Sequence, residues 1–245
     1  MEESKDIAIL IELAGAAIGT SPEGAPLVEG VDWRVARGDF WVVGGLHGAG
    51  KSALLAVAAG WLQPARGVCR VFGRVTEELD EEERIVQRRR VGVVFENGAR
   101  PFHQLSVLEN VTLPLCYHHD WTHEQAEPSA RELLRRTGLE SFAQRRAGDI
   151  ARAWQQRLGL ARALALEPEV LLLDNPLAGL DPRQQEWWVA FLKELSQRLT
   201  LVVTSDHLEP WHGAGRQFAR LNEGHWEGIE GAVTAGLRPS PWRGE

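Results

Sequence analysis

An eight-residue loop near residue 50 constrains the fold of this chain more than any other segment. It reads Gly45-Leu46-His47-Gly48-Ala49-Gly50-Lys51-Ser52 and matches the pattern G-x-x-x-x-G-K-[ST]. In that pattern successive backbone N–H groups wrap phosphate groups, and glycine lets the chain approach them closely. Lys51 neutralises phosphate charge, and the hydroxyl of Ser52 is a ligand for Mg²⁺, which takes few protein ligands. The loop therefore predicts a site for a nucleotide and its magnesium ion.

The sequence on either side of the loop supports this interpretation. The apolar run Phe40-Trp41-Val42-Val43 comes just before the loop, and residues 53–59, which are rich in helix formers, follow it. Strand, loop and helix are the context that the motif requires. A glycine-rich turn with an accidental lysine would not need such flanks, so we expect an α/β domain built around this unit.

Hydrophobic patterning divides the chain into an α/β core and a helical insert. Of the 245 residues, 44% are hydrophobic and 25% charged, which is ordinary for a globular protein. We expect a single domain whose α/β core covers residues 1–98 and 167–225, with a helical subdomain over about 99–166 and a tail over 226–245. Apolar runs that predict strands lie at residues 7–13, 31–35, 40–43, 68–72, 91–95, 170–173, 201–204 and 218–221.

Helix-start signals mark the insert and the region that follows it. The pairs Ser106/Glu109 and Ser129/Glu132 both fit the capping box S-x-x-E. A third helix is predicted over residues 150–166. Beyond the insert, another helix is predicted to begin with Asp181 as its N-cap and Pro182 at its first position.

Charge, cysteine content and hydropathy exclude several classes of protein. The net charge of -7 argues against general nucleic-acid binding, so no nucleic-acid partner is expected. Cys69 and Cys116 are far apart and lack C-x-x-C spacing, which indicates neither a disulfide framework nor a zinc site and fits a reducing cytoplasm. The acidic N-terminus does not read as a signal peptide, and no segment approaches the roughly 20 apolar residues that span a bilayer. If the protein acts at a membrane, another chain must supply the spans.

Taken in order, the phosphate loop, the insert, residues 160–164 (LARAL) and residues 171–174 (LLLD) resemble an ABC transporter ATPase subunit over about residues 7–225. Within that family, residues 95–99 (FENGA) followed by 107–115 (VLENVTLPL) look most like the ATPases of Mla/MCE-type lipid transporters. The resemblance implies a P-loop NTPase core with a mixed, partly parallel sheet, an N-terminal antiparallel β portion and the inserted helical subdomain.

The resemblance also implies cofactors and partners, namely ATP with Mg²⁺, a transmembrane permease and a second ABC ATPase subunit. ATP would lie between the phosphate loop of one subunit and the signature segment of the other, in a head-to-tail homodimer or heterodimer. Residues 178–181 (AGLD) correspond to the segment that links the two sites and keep its leucine and aspartate. The protein would then be cytoplasmic and peripheral at the inner face of the cell membrane.

The position of the family's catalytic base is changed. Asp174 would hold Mg²⁺ through water, and the family glutamate that follows it is Asn175 here. An amide orients water but cannot accept its proton, and positioned general bases contribute about 10²- to 10⁴-fold in rate. We therefore expect nucleotide binding to survive and turnover to be weak or lost. The alternative is that activity is supplied by another group.

Two groups are candidates for such a rescue. The family glutamine after the strand at residues 91–95 is Glu96, which remains a competent Mg²⁺ ligand beside Ser52 and Asp174. Glu96 would act as the base only poorly if it binds the metal. The family histidine that contacts the γ-phosphate falls on Ser205, and His207 lies two residues later. Two residues of extended chain return to the same face about 6.5 Å further along, so His207 replaces that histidine only if the backbone bulges.

Two further motifs depart from the family. The signature segment L-S-G-G-Q aligns with Ile150-Ala151-Arg152-Ala153-Trp154, which loses a serine hydroxyl and two glycines. Arg152 replaces the lost phosphate cradle by its guanidinium, blocks closure by its bulk, or simply points into solvent. The aromatic residue that stacks on adenine is missing, since residues 16–19 offer only Ile18.

Three functions remain open from the sequence. The first is a degenerate ATP-binding subunit, or pseudo-ATPase, that pairs with an intact ATPase on the permease of a transporter, with lipid as a candidate cargo. The second is an active homodimer that hydrolyses ATP through Glu96 or His207. The third is a soluble ATP-gated scaffold without a permease.

Overall fold

The computed structural model describes residues 8–21, 25–96 and 100–229. Ten strands lie in the described residues: β1 Ile9–Ile18, β2 Val28–Ala36, β3 Phe40–Gly45, β4 Arg66–Val71, β5 Arg74–Val75, β6 Val91–Val94, β7 Val170–Leu173, β8 Thr200–Ser205, β9 Gln217–Asn222 and β10 His225–Ile229. Six α-helices accompany them: α1 Lys51–Ala58, α2 Glu81–Arg89, α3 Val107–His119, α4 His123–Arg136, α5 Arg152–Leu164 and α6 Pro182–Leu195. Short 3₁₀ turns lie at Thr76–Glu78, Glu140–Phe142, Ala147–Asp149 and Glu209–Trp211.

The described strands form one mixed sheet in the order β5-β4-β1-β2-β10-β9-β3-β8-β7-β6. The pairs β1/β2, β1/β4 and β4/β5 are antiparallel, which confirms the predicted N-terminal antiparallel portion. At the other side β3, β8, β7 and β6 run parallel to one another. Because the carboxyl ends of parallel strands meet at one edge of a sheet, the chain segments that follow these four strands converge there.

The parallel strands are buried on both faces, as their continuous apolar sequences predict. Every residue of β7 and β8 is buried. One hydrophobic cluster packs α1 against one face of the sheet, and a second cluster packs α6 against the other through Trp188 and Leu192. A third cluster, formed by α3, α4 and α5, gives the helical subdomain a core of its own.

The two predicted capping boxes have different outcomes. Ser106 caps α3, and its box with Glu109 is complete. The box at Ser129 is wrong, because α4 begins earlier, at the N-cap Thr122, and Ser129 lies inside the helix. Ala126, Ala130 and Leu134 form the buried stripe of α4, and this spacing of four starts before Pro128. A complete capping box formed by Thr122 and Gln125, together with this apolar stripe, marks the start of the helix.

The last predicted boundary is also different in the structure. The α/β core continues past residue 225, since β10 reaches Ile229 and pairs with β9. Glu223 and Gly224 both have positive φ, 48° and 80°, as in a two-residue hairpin turn. The Glu-Gly dipeptide was the available signal for this turn. Residues 230–245 of the expected tail lie outside the described residues.

In the described parts of the chain, we found no helix with the length and apolar character that crossing a membrane requires.

Candidate functional site

The phosphate loop lies between β3 and α1, in the strand, loop and helix context that the sequence predicts. Gly48 and Gly50 have φ of 82° and 95°, a left-handed backbone that favours glycine. A Cβ on Gly48 would meet no atom within 4 Å, whereas one on Gly50 would lie 3.0 Å from Cγ2 of Val28. Gly50 is the N-cap of α1 and makes no side-chain cap, so the helix start presents its backbone amides to an anion. The loop therefore fits a phosphate group.

Lys51 makes a contact that the sequence analysis missed. Its ammonium group donates to the carbonyl oxygens of Gly45 (2.7 Å) and Leu46 (2.9 Å). It also donates to Oδ1 of Asp206 at 2.8 Å, and the lysine side chain is only 7% exposed. An ammonium has three protons, so all three have protein acceptors. The signal for this contact was that Asp206 directly follows β8, which is parallel to β3 at the same sheet edge.

Asp206 also contacts Asn175, the position at which the sequence analysis expects the family's base. Its Oδ2 accepts a hydrogen bond of 2.8 Å from Nδ2 of Asn175. Burial raises the pKa of Asp206, but the hydrogen bonds from Lys51 and Asn175 outweigh this effect, and the pKa lies below its usual value. The carboxylate is therefore ionised at neutral pH and connects the phosphate loop with Asn175.

Asn175 is held firmly at the end of β7. It is 4% exposed, has a φ of 44°, and donates its backbone N–H to the carbonyl oxygen and the hydroxyl of Thr204, both at 3.1 Å. Its Nδ2 also lies 3.4 Å from Oε1 of Glu96. The amide thus donates toward two carboxylates. A glutamate at this position would place three carboxylates together, and like charges at such distances oppose ionisation.

The expected metal ligands provide oxygen atoms, which Mg²⁺ prefers. Asp174 follows β7, is 7% exposed, and its Oδ1 accepts a hydrogen bond of 2.8 Å from the hydroxyl of Thr204. Ser52 lies in the first turn of α1, and Glu96 follows the end of β6. No group of three or more His, Cys, Asp or Glu side chains in the described residues could hold a metal by itself. This donor set fits a magnesium ion that keeps phosphate and water oxygens among its ligands.

The backbone turns between Ser205 and His207, the two residues considered for the position of the family histidine. β8 ends at Ser205, which is 3% exposed. The serine hydroxyl donates to the carbonyl oxygen of His207 at 2.7 Å, which closes a turn. The extended backbone that would carry the imidazole along the same face therefore stops. Between the two residues, Asp206 is the side chain that reaches the phosphate loop.

Arg152 packs against its own chain. Residues 150–151 come before α5, Ala151 is the N-cap without a side-chain hydrogen bond, and Arg152 is the first helical residue. The guanidinium of the exposed Arg152 lies 3.8–3.9 Å from the position that a Cβ on Gly179 would take. Gly179 belongs to residues 178–181, so this contact argues against an arginine that simply points into solvent.

Arg157 joins the helical subdomain to the core and was not singled out from the sequence. Its guanidinium carbon lies 3.4 Å from the ring centre of Trp187 on α6 and 4.7 Å from that of Trp154 on α5. It also donates to Oε1 of Gln184 at 2.6 Å. Burial is the main reason why the pKa of Arg157 falls to about 10. The group remains charged at neutral pH and holds α5 beside α6.

Ile18, the one residue expected near adenine, is fully buried in the core and cannot stack on a base. Leu27 is 39% exposed, and its Cβ lies 3.3 Å from the position of a Cβ on Gly50. It is an exposed apolar side chain beside the phosphate loop.

Comparison with known proteins gave consistent matches. The family model described as ABC transporter matches residues 28–178. The methionine import ATP-binding protein MetN 2 of Paraburkholderia xenovorans is 36% identical over 176 residues, 71% of this chain. The lipoprotein-releasing system ATP-binding protein LolD of Anaeromyxobacter dehalogenans is 34% identical over 206 residues, 80% of this chain. The chain spans 44% of the length of the first relative and 84% of the second.

Among solved structures, the ATP-binding cassette MJ0796, in a dimeric post-hydrolysis state bound to ADP and Pi, matches with a TM-score of 0.81 and 27% identity. The match covers 91% of this chain and 100% of that one. The shared fold is a mixed sheet with helices around a phosphate loop, as the sequence predicts.

Proposed function

Because this chain belongs to the ABC transporter family, we propose that it is an ATP-binding subunit of a transporter that binds Mg-ATP but hydrolyses it slowly or not at all. One observation carries the second half of this proposal. The side chain at the base position, Asn175, directs its amide protons toward Asp206 and Glu96. A group that donates protons in this way cannot accept one from the attacking water.

The phosphate loop, the magnesium ligands and a related solved structure support nucleotide binding. The phosphate loop has left-handed glycines, an uncapped helix start and a buried lysine. Asp174 and Ser52 offer oxygen ligands for the magnesium ion. MJ0796, which shares this fold, is named for its complex with ADP and Pi. When bound, the magnesium ion would neutralise charge on the phosphates.

The signature segment supports pairing with an intact second ATPase. In a head-to-tail dimer, residues 150–154 would face the nucleotide on the partner subunit. The segment has no capping hydroxyl at Ala151, and Arg152 packs near Gly179 of its own chain. This chain would therefore contribute a poor phosphate cradle to the partner's site, and an intact partner would contribute its own base to that site. The dimeric state named for MJ0796 supports pairing as such.

A set of exposed apolar side chains supports docking on a membrane permease. Large apolar patches on soluble domains are frequent at interaction sites. Leu113 and Tyr117 are one helical turn apart on α3 and are 37% and 77% exposed. Ile85 and Val86 on α2, Phe102, and Trp61, which packs against Phe95, are further exposed apolar residues. The subunit would then be peripheral, on the cytoplasmic face of the membrane.

The cargo that we propose is a lipid. The motifs at residues 95–99 and 107–115 favour a lipid, and LolD is named for lipoprotein release. Residues 97–99 lie outside the described residues. Another relative is named for methionine import. Purification from detergent extracts tests this point, because a co-purifying permease with a lipid-transport partner supports a lipid and a small-molecule permease contradicts it.

An active homodimer is the second candidate, and one observation favours it. The family pair of glutamine and glutamate is exchanged here, so that Glu96 provides the carboxylate and Asn175 the amide, 3.4 Å apart. Glu96 as the base would require it to leave the metal. A scaffold without a permease is a third candidate, which recovery of the protein from membranes would contradict.

The decisive experiment uses the purified chain. We expect Mg-ATP to bind, as measured by calorimetry, and phosphate release to stay at the level of the Lys51→Ala variant. Phosphate release that clearly exceeds that of Lys51→Ala would favour the active homodimer. Absence of binding would contradict the proposed function.

A further inference from the structure

One carboxylate bridges the two halves of the candidate site. Oδ1 of Asp206 lies 2.8 Å from Nζ of Lys51, and Oδ2 lies 2.8 Å from Nδ2 of Asn175. The Asp206 side chain is 36% exposed, whereas that of Lys51 is 7% exposed. The buried lysine therefore has a partner that reaches it from the solvent-accessible side.

The three acceptors on Lys51 differ in how easily phosphate can replace them. Gly45 and Leu46 offer backbone carbonyls of the loop itself, and Gly45 is fixed in the sheet opposite Leu221. Withdrawing those carbonyls would deform the loop. Asp206 contributes a side chain, which leaves by rotation. Its negative charge also opposes a phosphate group at the same lysine, so the two anions compete.

We propose that Asp206 is an internal counter-ion of the phosphate loop, that nucleotide phosphate displaces it from Lys51, and that this exchange repositions the Asn175 amide. The inference rests on the proposed binding of nucleotide and describes how that same site is regulated. Asp206 acts here as a positioning residue.

The hydrogen bonds around Asn175 determine what moves. Its backbone N–H is held by Thr204 at 3.1 Å, so the backbone stays in place. Only the side-chain amide follows Asp206, because that bond is made by Nδ2. When a nucleotide phosphate binds Lys51, the Asp206 carboxylate moves away from the negative charge of the phosphate. The Asn175 amide then either follows Asp206 or turns toward Glu96. Phosphate binding at the loop thereby changes the orientation of the Asn175 side chain, which lies next to the position expected for the attacking water.

The first test compares nucleotide affinity and stability in one pair of proteins. Asp206→Asn keeps the shape of the side chain but removes its charge. We expect it to bind Mg-ATP about tenfold more tightly, as measured by calorimetry, because charge-assisted hydrogen bonds are about twice as strong as neutral ones. Without nucleotide, the same variant should unfold at a lower urea concentration. A merely structural role of Asp206 would lower both affinity and stability.

Two variants serve as controls. Asp206→Glu retains the charge and should bind Mg-ATP within about threefold of the unaltered protein. Glu209→Gln removes an exposed charge three residues later, and it should change the affinity by less than about twofold, since surface charges are screened. If Glu209→Gln tightens binding as much as Asp206→Asn, net charge rather than the contact with Lys51 is responsible, and the proposal is overturned.

A second test does not depend on nucleotide. The variants Lys51→Met, Asp206→Asn and their combination form a double-mutant cycle for unfolding in urea. We expect a coupling of at least about threefold in the folding equilibrium constant. If the two substitutions change the folding equilibrium independently, the proposed interaction between Lys51 and Asp206 is overturned. If Lys51→Met does not fold, the affinity comparison of Asp206→Asn with Asp206→Glu decides alone.

The possible failures are distinguishable. Equal Mg-ATP affinity of Asp206→Asn and the unaltered protein would overturn the counter-ion role while leaving the proposed function intact. Absence of binding in both proteins would contradict the proposed function and displacement together, even if the unfolding cycle shows coupling.

Discussion

The phosphate loop and the residues that face it across the sheet edge differ in how they would act on a nucleotide, and in the proposed function only the loop keeps its full motif. Residues 45–52 keep every position of the phosphate-loop motif, whereas we infer from the resemblance that Glu96, Asn175 and Ser205 stand where the family has other residues. Both sets follow parallel strands of the same sheet. The difference between them is chemical, because the loop binds phosphate mainly through its backbone, whereas the facing residues act through single side chains.

This contrast explains how one half can change while the fold stays the same. A phosphate site made of backbone N–H groups requires left-handed glycines and a loop that joins a strand directly to a helix. It is therefore formed by the fold itself. The backbone of Asn175 is held by Thr204 and Ala178, whichever side chain the residue carries, so this position can change without a change of fold. The exchange with Glu96 keeps one acid and one amide in contact.

The largest expected effect comes from reversing that exchange. Asn175→Glu combined with Glu96→Gln restores a base and removes the nearby like charge. We expect phosphate release to rise about 10²- to 10⁴-fold over the unaltered chain. Asn175→Glu alone should gain less, because Glu96 and Asp206 then oppose its ionisation. An unchanged rate in the double variant would show that defects elsewhere, such as residues 150–154, limit turnover.

A second, smaller effect concerns the phosphate loop. Lys51→Ala removes a charged donor to phosphate, and charged hydrogen bonds contribute about 1.5–3 kcal/mol. We expect Mg-ATP affinity to fall about 100-fold in calorimetry. Lys193→Ala, an exposed lysine on α6, is the control and should bind as the unaltered chain does. Equal losses in both variants would break the comparison, since the phosphate loop would have no special role.

A third effect, on stability rather than on nucleotide, concerns the contact of α5 with α6 through Arg157. Arg157→Met removes the contacts with Trp154 and Trp187 and the bond to Gln184. We expect a loss of about 2–3 kcal/mol in the free energy of unfolding, measured in urea. Arg198→Met, at an exposed arginine, should change it by less than about 0.5 kcal/mol. A neutral Arg157→Met would mean that α5 is not held to α6 by this side chain.

The smallest expected effect is a difference in stability between substitutions at Ser106 and Ser129, which both begin an S-x-x-E pattern in the helical subdomain. Ser106→Ala should cost about 1 kcal/mol of unfolding free energy, because Ser106 caps α3. Ser129→Ala should be nearly neutral, since Ser129 is exposed inside α4. Thermal unfolding of both variants provides the comparison, and equal losses would contradict the observed start of α4.

Much of the fold was predictable because it rests on local signals. The eight predicted strands, the helical insert, and the caps at Ser106 and Asp181 are all present in the structure. The start of α4 and the last strand were missed. The helix is capped by Thr122 and Gln125 rather than by Ser129 and Glu132, and the turn at residues 223–224 is only two residues long.

The candidate site was predictable residue by residue but not as a set of contacts. The phosphate loop, Asp174 and Asn175 could be placed from their motifs. The contact of Lys51 with Asp206 spans 155 residues and depends on the strand order, which no local pattern records. The same holds for Arg157, whose partners come from two helices.

The central claim is that the chain retains bound ATP without splitting it. The most direct measurement incubates the purified protein with Mg-ATP labelled on the γ-phosphate, separates bound from free nucleotide, and determines the chemical state of each. We predict that bound nucleotide is recovered as ATP and that labelled phosphate does not exceed the amount released by the Lys51→Ala variant. Recovery of bound nucleotide as ADP, with labelled phosphate released over repeated turnovers, would contradict the account.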